Sequence, residues 1–299
     1  MSENTIRPGA IERFRSYAGW SRLKLHTAAV IVAIHVIALA LAPFTFTWTG
    51  LILLIVGWIV TGMLGVTMGF HRLLTHMSFK TYRPVEWALT TFGVLALEGG
   101  PITWVAEHRY HHKESDEEAD VHTPFVNFMW SHILWLFFRH PELKGRNDKS
   151  KYALDLQKQA FHRFMEQWFF VIYLLSAVVA FLIGWAIAGA WFGLSLMVWG
   201  VFLRTVFVWH ATWLVNSATH MWGYRNYKTK DNSRNTWWVS LITFGEGWHN
   251  NHHAQPRSAA HGHRWYEVDF TYYAILVMKK IGLAWDVIKP RDMHRMAGG

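Results

Sequence analysis

The sequence predicts an all-α integral membrane protein, with four transmembrane helices in two hairpins and a cytosolic helical cap. Two long stretches carry no Asp, Glu, Lys or Arg, from Leu25 to His71 and from Gln167 to Leu203. Soluble proteins rarely extend that far without a charged, solvated side chain. Each stretch is long enough for two spans of about 20 residues.

Each apolar stretch divides at a short turn. The first divides at 43–50, which begins with Pro43, and the second divides at 188–191. Arg204 lies late in the last apolar helix, so we expect that helix to extend beyond the lipid into the polar half. The predicted spans lie near 25–43, 50–70, 168–187 and 191–212.

The basic residues predict the orientation of these spans. Neither hairpin turn carries Lys or Arg, so every basic residue falls in the N-terminal arm, the middle segment, the end of the fourth helix or the C-terminal tail. By the positive-inside rule these parts are cytosolic, as are both termini. We therefore expect one domain over 1–299, its cap formed by 71–166 and 213–299. The apolar stretch 85–106 is interrupted by acidic residues and Gly99-Gly100-Pro101, and it predicts an interfacial or re-entrant helix.

Histidine is the unusual component of the composition. The chain has 19 His and no Cys, which excludes disulfides, zinc–thiolate sites and iron–sulfur clusters held by this chain. Excess His without Cys indicates metal bound through imidazole, or a pH-sensing surface. The net charge of +9 fits the cytosolic face of a membrane protein, and we expect no nucleic-acid partner.

Three histidine clusters follow the predicted spans. They are His71-Arg-Leu-Leu-Thr-His76, Glu107-His108-Arg-Tyr-His111-His112 and Trp248-His249-Asn-Asn-His252-His253. The second and third have His at i, i+3 and i+4, which share one helix face, so each could offer three imidazoles to one point. His71 and His76 lie about 140° apart on a regular helix. Either the helix unwinds between them, or they bind different metals.

The number of imidazoles predicts two metal ions. Asn216 and His220 share a face at the end of the fourth helix, which raises the count to nine histidines. One zinc ion needs only four ligands. Iron, copper and zinc all accept imidazole, so the ligands alone leave the metal open.

The motifs resemble those of the membrane fatty-acid desaturases, and most closely the stearoyl-type delta-9 group. The resemblance rests on His-Arg-Leu-x-x-His, Glu-His-Arg-x-His-His, Asn-Ser-Ala-x-His and Gly-Glu-Gly-Trp-His-Asn-x-His-His, in that order along nearly the whole chain. It implies two iron ions, dioxygen as co-substrate and insertion of a cis double bond into a saturated acyl chain. It implies that Asn216 reaches one iron through a water. The implied ligands are His71, His76, His108, His111, His112, His220, His249, His252 and His253.

Further residues are candidates for supporting roles. Asp120 and Glu246 could orient ligand histidines through the second ring nitrogen, and solvated loop charges are the alternative. An apolar tunnel beside the metals would set the position of the double bond by depth. Its predicted wall is Trp104, Trp213 and Trp248, with ordinary packing as the alternative. Its predicted closed end is Ile55 and Ile59.

The substrate carrier and the electron donor are predicted from two further features. Animal acyl-CoA members carry two arginines after Ala-Asp-x-His, where this chain has Phe125 and Val126. This difference favours acyl-lipid over acyl-CoA, although Lys113, Arg139 and Lys144 could bind phosphate instead. No His-Pro-Gly-Gly haem signature occurs, so we expect a separate electron donor, a ferredoxin or a small cytochrome. We expect the inner membrane of a bacterium.

Two other functions compete with desaturation. A related membrane di-iron hydroxylase or ketolase has similar ligands but different spacing and no Asn-Ser-Ala-x-His. A His-rich metal transporter would place ionisable residues within the spans, where His35 and Arg204 are the candidates. Two isolated residues are a poor pathway.

Overall fold

The computed structural model describes residues 19–117, 120, 122–124, 126–139 and 151–291, and they are mostly helical. Strand β1 (Lys80–Thr81) pairs antiparallel with β2 (Ala284–Trp285) and ties the chain near the first histidine cluster to its C-terminal part. In chain order the helices are α1 (Leu25–Leu41), α2 (Trp48–Thr75), α3 (Arg83–Leu95), α4 (Pro101–Glu114), α5 (Phe128–His132), α6 (Leu154–Gln157), α7 (Ala160–Ala188), α8 (Ala190–His220), α9 (Trp237–Ile242), α10 (His249–Ala254) and α11 (Phe270–Lys280).

Four apolar helices occupy the four predicted ranges. By length and composition, α2, α7 and α8 could cross a membrane, with 28, 29 and 31 residues; α1 is apolar but has only 17. The three long helices continue past the predicted spans, and both α2 and α8 end on candidate ligand segments. Arg204 is buried inside the protein, where its Nη1 donates to the Leu95 carbonyl at 2.7 Å.

The stretch 85–106 contains no helix long enough to be a fifth span. It is divided between α3 and α4, which have 13 and 14 residues. The chain turns between them at Leu97 (φ +57°) and Gly99 (φ +111°), in the left-handed region that glycine adopts without strain. The break leaves α4 free to present its histidines beside the end of α2.

Helices α2 and α3 are in unusually close contact. A Cβ atom at Gly65 would lie 2.4 Å from the backbone nitrogen of Gly93 and 2.4 Å from the Phe92 carbonyl carbon. Only glycine permits this approach, since real side chains do not come so near to backbone atoms. The contact fixes the position of α3 along α2, on the part of α2 that precedes His71.

We predict that Gly65→Ala destabilises the protein. The added methyl meets backbone that cannot rotate away, so the loss should be at least the 1–3 kcal/mol that is typical of an overpacked core. The thermal midpoint in detergent micelles measures it. Gly200→Ala is the matched control, because its nearest neighbour is the Leu53 Cβ at 3.2 Å. Equal midpoints for the two variants would contradict the packing argument.

Candidate metal centre

Four helical segments meet at one place: the end of α2, the body of α4, the end of α8 and all of α10. Every histidine that the sequence singled out as a ligand lies there. They divide into two groups in which the ligand nitrogens lie within 4.8 Å of one another. One group is His71, His76, His108, His112 and His252, and the other is His111, His220, His249 and His253.

Adjacent imidazoles present their Nε2 atoms to each other. In the five-histidine group, the Nε2 of His252 lies 3.1 Å from that of His71 and 2.8 Å from that of His112. In the four-histidine group, His249 Nε2 lies 3.0 Å from His220 Nε2 and 2.9 Å from His253 Nε2. Bonds of about 2.1 Å at right angles to one ion would put neighbouring nitrogens about 3 Å apart.

The histidines of α4 do not all point to one metal, contrary to the prediction from their spacing. Residues i and i+4 diverge by about 40° on a helix, whereas i+3 lies about 60° to the other side. His108 and His112 therefore join the five-histidine group and His111 joins the other. The same division occurs on α10, where His252 separates from His249 and His253.

His71 and His76 belong to the same group, and the helix widens between them. From Ile59 to Thr75 the helix is a π-helix, in which backbone hydrogen bonds join residues five apart. The His76 amide accordingly donates to the His71 carbonyl at 3.1 Å. Five-residue spacing thus brings the two rings within 4.8 Å, centroid to centroid. The helix therefore departs from regular α-helical geometry between them, as the first alternative required, and both rings face the same group.

Burial keeps three of these rings in the form that binds metal. Desolvation, followed by repulsion from neighbouring histidines, lowers the pKa of His108, His112 and His252 well below the usual value. Neutral imidazole has a free nitrogen lone pair, which a metal ion requires. The Nε2 atoms of His76 and His111 are buried without a hydrogen-bond partner. The donor set therefore fits two metal ions.

Carboxylates lie against the outward nitrogens of four of these histidines. Both predicted supports are present: Glu246 lies 2.6 Å from His71 Nδ1, and Asp120 lies 3.0 Å from His111 Nδ1. The sequence analysis missed two more, Asp116 at 3.1 Å from His220 Nδ1 and Asp231 at 2.7 Å from His253 Nδ1. A carboxylate on Nδ1 fixes the ring orientation and directs Nε2 towards the metal.

Glu246 is the most constrained of these carboxylates. Burial opposes its charge, but His261, His71 and Arg72 outweigh burial and hold the pKa of Glu246 well below its usual range. The fully buried Arg72 lies between Glu246 and Asp269, 3.0 Å from an oxygen of each. His261 was also missed, and its Nδ1 lies 3.2 Å from the same Glu246 oxygen that faces His71.

His122 is a further histidine that the sequence analysis did not single out. Its ring centroid lies 4.2 Å from that of His111. Burial and the neighbouring His111 lower the pKa of His122 to about 3, so this ring is neutral. The Ala-Asp-x-His segment was the available signal, because it places His122 two residues after Asp120.

Two cavities meet at the histidines. The narrower one, about 50 Å³, runs from His71 and His249 between α2 and α8 to Trp58 and Phe244. The wider one, about 690 Å³, opens towards Lys24 at the start of α1. They share a wall, which consists of Trp104, His108, Thr212 and Asn216.

Trp104 and Trp213 lie in the cavity walls as predicted from sequence position, Trp104 in both cavities and Trp213 in the wider one. Trp104 stacks on His108 with centroids 5.1 Å apart, and its Nε1 donates to Glu98 at 3.1 Å. Burial raises the pKa of Glu98 to about 7. Trp248 instead donates to the Val268 carbonyl at 2.8 Å and lines neither cavity.

The prediction that Ile55 and Ile59 close an internal tunnel is wrong for both cavities. Their side chains are 44% and 36% exposed on the outer surface of α2. The face of α2 that lines the narrower cavity carries Trp58, Gly62 and Val66 instead. Residues four apart lie on nearly the same face of a helix. Trp58, Gly62 and Val66 therefore share one face of α2, and Ile55 and Ile59 share a different one.

A family model described as fatty acid desaturase matches residues 45–283. The chain belongs to the fatty acid desaturase family. The sn-1 stearoyl-lipid 9-desaturase of Anabaena variabilis is 44% identical over 86% of this chain and 90% of its own length. The sn-2 palmitoyl-lipid 9-desaturase of a Nostoc strain is 42% identical over 85% and 86%. An acyl-CoA 5-desaturase of Anemone leveillei is 40% identical over 92% and 83%.

We predict that Asp116→Asn and Asp231→Asn each weaken metal binding by the desaturase. Loss of the carboxylate leaves His220 or His253 free to rotate, and such changes lower metal affinity about 10–100-fold. Metal retained after dialysis against a chelator, measured by elemental analysis, is the readout.

Asp286→Asn is the control for this pair, since Asp286 contacts only a surface lysine, Lys80, among the ion pairs of the described residues. Retention equal to that of the control would show that the two carboxylates do not position the ligands. Unchanged circular dichroism would separate a local effect from misfolding.

Proposed function

We propose that this desaturase uses dioxygen to insert a cis double bond at the delta-9 position of a saturated acyl chain, esterified in a membrane lipid. The observation that carries the proposal is the meeting of two apolar-walled cavities at two groups of imidazoles. The relatives from Anabaena and Nostoc are lipid 9-desaturases by name, which supports both the carrier and the position.

The metals in this proposal are two iron ions. His71, His76, His108, His112 and His252 would hold one, and His111, His220, His249 and His253 the other, with Asn216 reaching it through a water. When bound, such a pair supplies the activation of dioxygen that unreactive methylene groups require. Per double bond, dioxygen takes two electrons from a carrier and two from the substrate C–H bonds. With two protons from solvent and two hydrogens from the substrate it gives two waters.

The protein itself positions the chain and excludes water. An unactivated methylene has no polar handle, so its position depends on how far the chain enters a fixed apolar channel. Trp104 stands between the two cavities, held by Glu98 and by stacking on His108. The pair Trp58 and Phe244, with ring centroids 4.6 Å apart, closes the narrow end.

The membrane arrangement proposed is four crossings with both termini and the cap in the cytosol. The three long apolar helices support it, together with the positive-inside distribution of Lys and Arg. Helix α1 has about 25 Å of length, close to the hydrocarbon thickness of about 30 Å. The cyanobacterial relatives fit a bacterial inner membrane.

The acyl-lipid preference rests on the segment after Asp120. Val126 is buried and so offers nothing to a phosphate, while Phe125 lies outside the described residues. Of the alternative phosphate ligands, Lys113 contacts Glu114 at 2.5 Å, and Lys144 also lies outside the described residues. Because the relative from Anemone leveillei is named an acyl-CoA desaturase, the acyl carrier of this enzyme is tested by experiment below.

Expression in a host that lacks unsaturated fatty acids tests the reaction. We expect new monoenes with the double bond at carbon 9, located by mass spectrometry. His111→Ala, which removes one candidate ligand, is the inactive control. Hydroxylated chains would instead identify the hydroxylase or ketolase alternative. Unaltered lipids with bound zinc would overturn both enzyme functions and favour a metal transporter.

Isolated membranes then distinguish the carriers. They receive either labelled stearoyl-CoA or a preformed labelled stearoyl-lipid, with acyl transfer blocked. Label must appear in monoenes from the lipid and not from the CoA ester if the acyl-lipid assignment is correct. The reverse pattern would establish acyl-CoA as the substrate.

We predict that Gly62→Leu shifts the products towards shorter chains. A Cβ at Gly62 would lie 3.3 Å from Trp58 Cδ1 and 3.5 Å from Phe244 Cε2, so leucine fills the narrow end. One methylene in an apolar pocket changes selectivity about 10–200-fold, so the C16-to-C18 product ratio should rise about tenfold or more. Ile59→Trp is the control and should leave the profile unchanged, because Ile59 faces outward. If Ile59→Trp changed the C16-to-C18 product ratio and Gly62→Leu did not, the closed end of the channel would lie near Ile59 and not near Gly62.

A further inference from the structure

The outer carboxylates differ in how near they lie to the surface. The side chains of Asp120, Asp116 and Glu246 are 0%, 4% and 7% exposed, whereas that of Asp231 is 10% exposed. Among these four pairs, Asp231 and His253 therefore form the connection between solvent and a candidate metal group whose carboxylate is most exposed. The feature matters under the proposed function, since electrons must enter from a separate protein.

The segment that covers this connection is strongly basic. We call residues 225–234 the basic loop; it carries Arg225, Lys228, Lys230 and Arg234, and its single acid is Asp231. Arg225, Lys228 and Lys230 are exposed. The Asp231 carboxylate is turned inward to His253 at 2.7 Å, so it does little to offset the positive charge outside.

The basic loop is fastened to the helix that carries the ligands. Asn250 on α10 accepts hydrogen bonds from the backbone amides of Asn226 and Tyr227, both at 2.8 Å. Arg225 Nη2 donates to Thr229 Oγ1 at 2.6 Å and to the Asp231 carbonyl at 2.9 Å. Thr229 donates in turn to Asp231 Oδ1 at 2.9 Å. The exposed cations therefore stand on a preorganised surface, and a partner need not order it on binding.

We propose that the basic loop is the docking surface for a small, acidic one-electron carrier protein. Opposite charge steers such a carrier to Lys228 and Lys230, which lie on the same loop as Asp231, the partner of His253. Each docked carrier would be oxidised by one electron, so two encounters would supply the two carrier electrons needed for each double bond. The acceptor is dioxygen, which the proposed reaction already supplies.

The test uses the full-length desaturase in nanodiscs and an acidic plant-type [2Fe–2S] ferredoxin as the probe. The variant is Lys228→Glu with Lys230→Glu. The matched control is Lys279→Glu with Lys280→Glu, two exposed lysines at the end of α11, so the same charge is changed elsewhere on the cap. Three quantities are measured: the Kd for ferredoxin, kcat/KM with reduced ferredoxin, and single-turnover desaturation after anaerobic reduction by dithionite.

We expect the loop variant to raise the Kd about tenfold or more and to lower kcat/KM in proportion. Single turnover after dithionite should match the wild type, because the small reductant needs no docking surface. In the control variant, the Kd, kcat/KM and the single-turnover yield should each stay within twofold of the wild-type value. A loop-variant Kd within twofold of wild type would overturn the proposal, and so would equal weakening by the control.

The same measurements separate this inference from the proposed function. If the wild type forms no double bond after dithionite reduction, the proposed function is wrong whatever the binding data show. If the wild type forms the double bond after dithionite reduction, and the loop variant binds ferredoxin as tightly as the wild type, only the proposed docking surface is wrong.

Discussion

The centre depends on neutral imidazoles whose Nε2 lone pairs are directed inward. An imidazolium in this place would be repelled by its neighbours and could not bind a metal ion. Burial supplies neutrality, as the lowered pKa values of His112 and His252 show. Carboxylates on Nδ1 supply direction, since they hold the ring hydrogen on the outer side. The region around the two histidine groups meets both requirements, which explains why carboxylates such as Asp120 and Glu246 are buried there.

Much of the fold and of the site could be predicted from the sequence, because it depends on local composition. Charge-free stretches predicted the apolar helices. The three clusters predicted eight of the histidines that converge, and the Asn-Ser-Ala-x-His segment predicted the ninth, His220. The grouping was not accessible in the same way. The division of the histidines into two groups has two causes: the π-helix between Ile59 and Thr75, and the different directions in which His108 and His111 point from α4. The sequence prediction assumed a regular α-helix and a single point for each cluster, so it could not find this division.

The two carboxylates that the sequence analysis missed show most clearly what could not be predicted from the sequence. Asp116 follows α4 in the chain, yet its partner His220 is 104 residues away, at the end of α8. Asp231 precedes its partner His253 by 22 residues and reaches it only because Asn250 holds the basic loop in place. Such contacts depend on tertiary placement. Asp120 was found because it stands nine residues from His111 within one motif.

Both metal groups draw on α10, which supplies His252 to one and His249 and His253 to the other. During synthesis, therefore, the four apolar helices α1, α2, α7 and α8 are already made before either group has its full set of histidines. Under the proposed function, the ions could be captured in their final sites only after the chain has passed residue 253 and α10 has folded back onto α4. Metal loading is thus a late event in biogenesis, and a nascent chain arrested within 221–248 would remain without either complete site.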